Sequence, residues 1–241
     1  MIKNKVYYKI FDKNFQHLTH VYSLHKATDA AKLAEIKDNL SQVKQTLGTQ
    51  QLVVLKQTHS NTVIDADDMK DCDQQVEGDG LVTTKPGVAL GILTADCVPV
   101  LISSSDSKVI GAAHCGWKGA KNNIIANLIE QMKSKGASSF KTIIGPSIAQ
   151  ESYEVAEDYY QNFISDNQIY KQFFIVSNKP NHYMFDLSSL VVWQLNRLNI
   201  THILKVDEDT YSNLDKYPSY RRDCHQGRQN RYNILSTIMI Q

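Results

Sequence analysis

The order of apolar and polar positions divides the chain into a dense β-forming body with helical segments on either side. Residues 5–10 and 18–23 have alternating or aromatic-rich patterns and predict short strands. Apolar residues recur at helical spacing through AAKLAEIKDNLSQVKQTLG, which predicts a helix over 26–47 with Gly48 as its C-cap. QLVVLKQ (51–57) and SNTVIDA (60–66) read as strands. The acidic stretch 67–79 reads as a solvated loop, because its spacing does not fit an EF-hand. Between 78 and 119, LVTT, ALGILTA, VPVLISS and KVIGAAH are four β-type runs, separated by Pro-Gly, Asp-Cys and a Ser-Asp-Ser turn. These runs are apolar on both faces, so they predict a sheet covered on both sides. A helix is expected at 120–135, a strand at 139–145, helices at 153–164 and 187–198, and a strand at 202–206. The tail SYRRDCHQGRQNRYNILSTIMI is basic and then apolar and strand-like. With no repeat, low-complexity linker or composition break, one domain over 1–241 is the simplest organisation.

Composition narrows the function classes. Hydrophobic residues make up 42% of the 241 positions and charged residues 21%, enough for a sizeable core and too apolar for a disordered chain. The net charge of +1 gives no electrostatic footprint for nucleic acid or an anionic membrane. The apolar runs are too short to span a bilayer. The start, MIKNKVYYKIFDKN, has no apolar signal-peptide core, so a cytoplasmic location is expected. In that reducing compartment the four cysteines, Cys72, Cys97, Cys115 and Cys224, are expected as thiols and not as a disulfide framework.

Strand ends collect functional side chains, because the scaffold is rigid there while the loop can vary. His59 ends QLVVLKQTH, Cys97 interrupts ILTADCVPVLI, and His114 ends KVIGAAH before Gly116-Trp117-Lys118-Gly119. A thiolate with two imidazoles suits Zn2+, and three protein ligands leave a fourth position open for catalysis. On an extended run His114 and Cys115 point to opposite faces, so Cys115 is expected in packing and not on the metal. The plainer alternative is two satisfied or surface histidines and a core thiol, since no CxxC or HExxH spacing is present.

Six ordered motifs resemble one family: QTHSNTV (57–63), GDGLVT (78–83), TADCVPVLI (94–102), AAHCGWKG (112–119), IGPSIAQESYEV (144–155) and SYRRDCHQGR (219–228). Together they are similar to the YfiH/laccase-domain family, which is also known as polyphenol-oxidase-like and as purine nucleoside phosphorylases. The resemblance spans residues 50–240. It implies an α+β fold of layered mixed β-sheets with outer helices, and His59, Cys97 and His114 as metal ligands. It also implies phosphorolysis of adenosine, inosine and methylthioadenosine, with adenosine deamination. The family's older copper-oxidase label implies a rival Cu2+-dependent phenol oxidase, which eight histidines and one soft cluster would struggle to build. An interaction module with a vestigial metal site is the non-enzymatic alternative.

On that reading, deamination needs a carboxylate for proton transfer, and Asp96 is the candidate beside Cys97, with Asp79 and Glu154 competing. Lys118, Arg221, Arg222 and Arg228 are candidate phosphate ligands, and Trp117 and Tyr153 candidate stacking partners for a purine. The expected partners are purine nucleosides and phosphate, with no nucleic acid or membrane, in a monomer or homodimer. The sequence departs from the family in three places. FDKNFQHLTHVYSL stands where the family has Thr-Thr-Arg and Gly-Gly-Val-Ser, Glu208-Asp209-Thr210-Tyr211 lacks a cysteine usual before the late Thr, and Trp117-Lys118-Gly119 has lysine where arginine is common.

Overall fold

Secondary structure follows the apolar runs closely where they are longest. The computed structural model describes residues 5–11, 30–71, 76–228 and 232–241, and the side chains of the first helix from residue 38. The strand expected at 18–23 and Cys72 lie outside these residues. The chain runs β1 (Val6–Phe11), α1 (Ala30–Leu47), β2 (Gln51–Val54), β3 (Val63–Asp65), β4 (Gly80–Thr83), β5 (Val88–Thr94), β6 (Val98–Ser104) and β7 (Ile110–Cys115). It continues through α2 (Trp117–Lys121), α3 (Ile124–Ser134), β8 (Phe140–Ile144), β9 (Glu154–Ala156), α4 (Glu157–Ile164), β10 (Phe174–Val176) and β11 (His182–Phe185). The last elements are α5 (Leu187–Arg197), β12 (Ile203–Lys205), α6 (Tyr220–His225) and β13 (Ile234–Ile240).

The α+β architecture is layered. A six-stranded mixed sheet has the order β12-β8-β6-β7-β4-β3, and a four-stranded one the order β1-β13-β5-β2. Leu90 and Ile92 of β5 and Ile238 and Ile240 of β13 pack with Leu81, Leu101, Ile110 and Ala112 of the larger sheet, forming the layer between the two. The outer face of the larger sheet, through Val100, Ile102, Ala113 and Cys115, packs on Leu128 of α3 and Leu190 of α5. The outer face of the smaller sheet, through Leu52, Val54 and Leu235, packs on Leu40 and Val43 of α1. Central strands covered on both faces must be apolar on both, and β5, β6, β7 and β13 are buried throughout. Alternation along β7 sends Ile110 and Ala112 between the sheets and Ala113 and Cys115 toward the helices. Helix α1 ends as its sequence predicts: Gly48 has φ +68, and Thr49 N–H reaches back to the Lys44 carbonyl at 3.0 Å.

Three expectations need correction. The helix expected at 120–135 is two helices, because Asn123 adopts φ 64 between α2 and α3. The helix expected at 153–164 begins as strand β9, which pairs antiparallel with β11 in a three-stranded sheet ordered β10-β11-β9. The tail also holds α6, which its basic composition hides; Ser219 accepts from the Arg222 amide as the N-cap. No helix among the described residues is long and apolar enough to cross a membrane.

The layer between the sheets yields a stability prediction. Leu101 is fully buried there, whereas Leu204 on edge strand β12 is 63% exposed. Leu101→Ala is expected to cost about 2–5 kcal/mol in urea unfolding, against less than about 0.5 kcal/mol for Leu204→Ala. Equal costs would contradict the layer assignment.

Candidate metal centre

The site begins with a buried carboxylate. Asp79 is fully buried just before β4, and its backbone carbonyl accepts from the His114 amide at 2.7 Å. Its side chain accepts from the amides of Thr58 (3.1 Å), His59 (3.0 Å) and Ser60 (2.6 Å), and from the Ser60 hydroxyl at 2.7 Å. It also meets His114 Nδ1 at 2.7 Å. Burial alone would raise its pKa, but the His114 hydrogen bond and charge and the Ser60 bonds outweigh that and lower it to about 2. This arrangement fixes the His59 loop and the His114 ring together. His59 itself has φ 61, an uncommon conformation for a non-glycine residue.

Cys97 arrives from a second strained turn. Asp96, between β5 and β6, has φ 88. Backbone strain of this kind costs about 1–3 kcal/mol and collects at functional sites. The Asp96 carboxylate accepts from Thr210 Oγ1 and from the Arg221 amide, each at 2.7 Å, which ties the turn to α6. Cys97 Sγ lies 3.8 Å from His59 Nε2, and the two histidine rings meet edge to face at 4.7 Å. Donor atoms of His59, Cys97 and His114 all fall within 4.8 Å of one another. A Cβ on Gly116 would come within 2.5 Å of His59 Cδ2 and 3.3 Å of Cys97 Sγ, so a glycine is what leaves room for these two side chains. Cys115 is buried on the opposite face of β7, in the helix-facing core.

The electrostatics suit a cation. Burial would raise the Cys97 thiol, but the His114 charge and hydrogen bonds from both histidines lower it to about 6. Burial would depress His114, yet the Cys97 thiolate and Asp79 raise it to about 9. Burial pushes the Cys115 thiol well above its ordinary range. Thiolate is the form that binds metal, and Zn2+ favours a set of one thiolate and two imidazoles. The donor set, its spacing and the room left by Gly116 all fit a single ion.

His59 and Cys97 line two chambers, of about 620 Å³ and about 430 Å³. The larger is walled by Trp117, Tyr153, Tyr159, Asn162 and Arg221, with Asp96, Glu154 and Asp158 also lining it. Of the expected phosphate ligands, Arg221 alone reaches this chamber among the described residues. Its Nη1 donates to the Glu154 carbonyl at 2.6 Å, and its guanidinium lies 5.1 Å from the Tyr153 ring centre. Arg222, also expected to bind the anion, turns inward and donates to the carbonyls of Thr210, Tyr211 and Tyr217. Arg228 pairs with Asp223 at 3.2 Å and Lys118 sits 5.5 Å from the Trp117 ring centre, and neither lines the chamber. Asp79, a competing proton-transfer candidate, has its carboxylate engaged by the 58–60 loop and His114 and does not line the larger chamber.

Sequence reasoning missed Asp79's orienting role, Tyr159 and the spatial need for Gly116. The glycines on either side of Asp79 were the available signal, since they mark a close approach of backbone. The geometry predicts one unusually acidic thiol. In metal-free protein, thiolate absorbance should appear with a midpoint of about 6, disappear in Cys97→Ser and persist in Cys115→Ser. A midpoint in the ordinary cysteine range, or the same loss in both variants, would contradict the assignment.

A sequence model of the multi-copper polyphenol oxidoreductase laccase family matches residues 22–236. A Rickettsia conorii protein named purine nucleoside phosphorylase is 44% identical over 240 residues, covering 100% of this chain and 98% of its own. A Clostridium acetobutylicum protein of the same name is 33% identical, over 78% of each chain. Among solved structures, a Neisseria meningitidis protein superposes with a TM-score of 0.82 at 24% identity, covering 98% of this chain and 94% of that one, which shows the fold. Bacillus licheniformis YfiH superposes with a TM-score of 0.75 at 25% identity, covering 86% and 82%. The chain belongs to this laccase-like family, whose solved members include YfiH.

Proposed function

We propose that the protein is a zinc-dependent purine nucleoside phosphorylase acting on adenosine, inosine and methylthioadenosine, with adenosine deamination as a second activity. One observation carries the reading: two of the three convergent donors, His59 and Cys97, border an aromatic chamber of about 620 Å³ that also holds a guanidinium. Relatives spanning the full chain at 44% identity are named purine nucleoside phosphorylase. A cytoplasmic location suits both substrates.

His59, Cys97 and His114 would hold the ion, which when bound supplies Lewis-acid polarisation of an oxygen. Arg221 holds the phosphate. Its guanidinium is pinned by the Glu154 carbonyl and lies against Tyr153, so it is ordered before the anion arrives. Trp117, Tyr153 and Tyr159 offer ring surface to the planar base. Phosphate oxygen bonds to the ribose C1′ as the C1′–N9 bond breaks, and the electron pair leaves with the purine. Deamination needs a carboxylate for proton transfer, and Asp96, Glu154 and Asp158 are the acids on the wall. Burial raises Asp96, which favours its protonated form. The copper-oxidase alternative needs several coppers and many histidines, whereas one potential metal group of three ligands stands among the described residues.

The substrate test separates the two neighbouring arginines. Arg221→Ala is expected to raise the KM for phosphate about tenfold or more while leaving the KM for nucleoside within about threefold. Arg222→Ala should instead lower the melting temperature, because three carbonyls lose their buried donor. Zinc-loaded protein should release adenine from adenosine and phosphate without taking up oxygen. Oxygen uptake with copper and no base release with zinc would replace this reading with the oxidase, and no turnover with either metal would favour the vestigial module.

A further inference from the structure

We infer that the paired hydroxyls of Tyr153 and Tyr159 donate the hydrogen bond that stabilises the departing purine at its imidazole nitrogen N7. The inference rests on the phosphorylase reading and names the group that receives the leaving base.

It starts from a count of protons. Both tyrosines line the larger chamber, and their hydroxyl oxygens lie 3.3 Å apart. Each phenol has one proton to donate. Whichever hydroxyl donates to the other, one O–H remains, and no third protein partner meets either oxygen among the described residues. The pair therefore presents an unspent donor inside an aromatic chamber that borders His59 and Cys97. Burial raises both phenols, Tyr153 to about 12 and Tyr159 higher still, so each keeps its proton through the neutral range.

The leaving group needs such a donor. When the C1′–N9 bond breaks, its electron pair spreads over the purine imidazole ring, and N7 becomes a stronger acceptor in the transition state than in the substrate. A donor fixed at that position lowers the barrier without binding the ground state equally well. The phenols lend a hydrogen bond and retain their protons; the proton that finally neutralises the purine is the one released by hydrogenphosphate as ribose 1-phosphate forms. Other polar groups on the wall are less suited. Glu154 accepts from Ser177 Oγ, and Asp158 accepts from the Tyr159 amide. Carboxylates repel a departing anion. Asn162 Oδ1 is engaged by Lys121, which leaves its Nδ2 as a donor on the same wall. Arg221 touches the Tyr153 ring face at 5.1 Å, so the phosphate-binding cation and the base-binding phenol share one wall. The Trp117 indole N–H and the Asn162 amide are the competing neutral donors, and the test includes both.

The experiment compares inosine with 7-methylinosine in zinc-loaded wild type, Tyr153→Phe, Tyr159→Phe, the double variant, Trp117→Phe and Asn162→Ala. A methyl on N7 removes the acceptor and already activates the leaving group. With inosine, the phenol that faces the base should lose roughly 10- to 100-fold in kcat/KM on its own, and the double variant should be no worse. With 7-methylinosine the same variants should stay within about threefold of wild type. Zinc content should not change. Equal loss on both substrates would make the tyrosines a wall and overturn the inference, as would no loss on either, or a selective loss confined to Trp117→Phe or Asn162→Ala. Absence of phosphorolysis in the wild type would overturn the underlying reading, and the inference with it, before any variant is compared.

Discussion

The site depends on the desolvated carboxylate of Asp79. A fully buried carboxylate is costly unless donors surround it, and Asp79 has the amides of Thr58, His59 and Ser60, the Ser60 hydroxyl and His114 Nδ1. Those donors come from two places far apart in sequence, the loop after β2 and the end of β7. Satisfying one acidic group therefore brings two candidate metal ligands together. The contact to Nδ1 also makes His114 Nε2 the nitrogen that would face an ion, the usual way an outer carboxylate selects the ligating nitrogen.

The layers explain why the third ligand arrives where it does. Antiparallel register sets Pro99 of β6 opposite His114 of β7, so the turn before β6 ends beside His114. That turn holds Cys97. Asp96 then links the same turn to α6 through Thr210 and the Arg221 amide. The candidate ligand and the guanidinium are thus positioned by adjacent residues of one tight turn, although Arg221 lies far along the chain from Cys97. Asp96 has a mechanical role as well: its carboxylate accepts hydrogen bonds that hold α6 in place.

Much of this was legible in the sequence, and the exceptions have physical causes. Strands β4 to β7 were readable because burial on both faces leaves an uninterrupted apolar run. His59, Cys97 and His114 were readable because they interrupt or end such runs and recur in family motifs. Strands β9 and β10 have three residues each, too few to carry a period. Asp79 was noticed only as one acid among several, because its partners are long-range. Arg221 and Arg222 cannot be told apart by composition. Neighbouring helical residues point about 100° apart, so one reaches the chamber and the other turns into the core. Their difference appears only once α6 is seen, and the basic tail had hidden that helix.

The central claim is that one thiolate and two imidazoles from this chain hold zinc. X-ray absorption at the zinc edge, on purified protein carrying stoichiometric zinc, tests it most directly. The account predicts one sulfur at about 2.3 Å and two imidazole nitrogens at about 2.0–2.1 Å. The sulfur should vanish in Cys97→Ser and remain in Cys115→Ser. A zinc shell without sulfur, or one unchanged by Cys97→Ser, would contradict it.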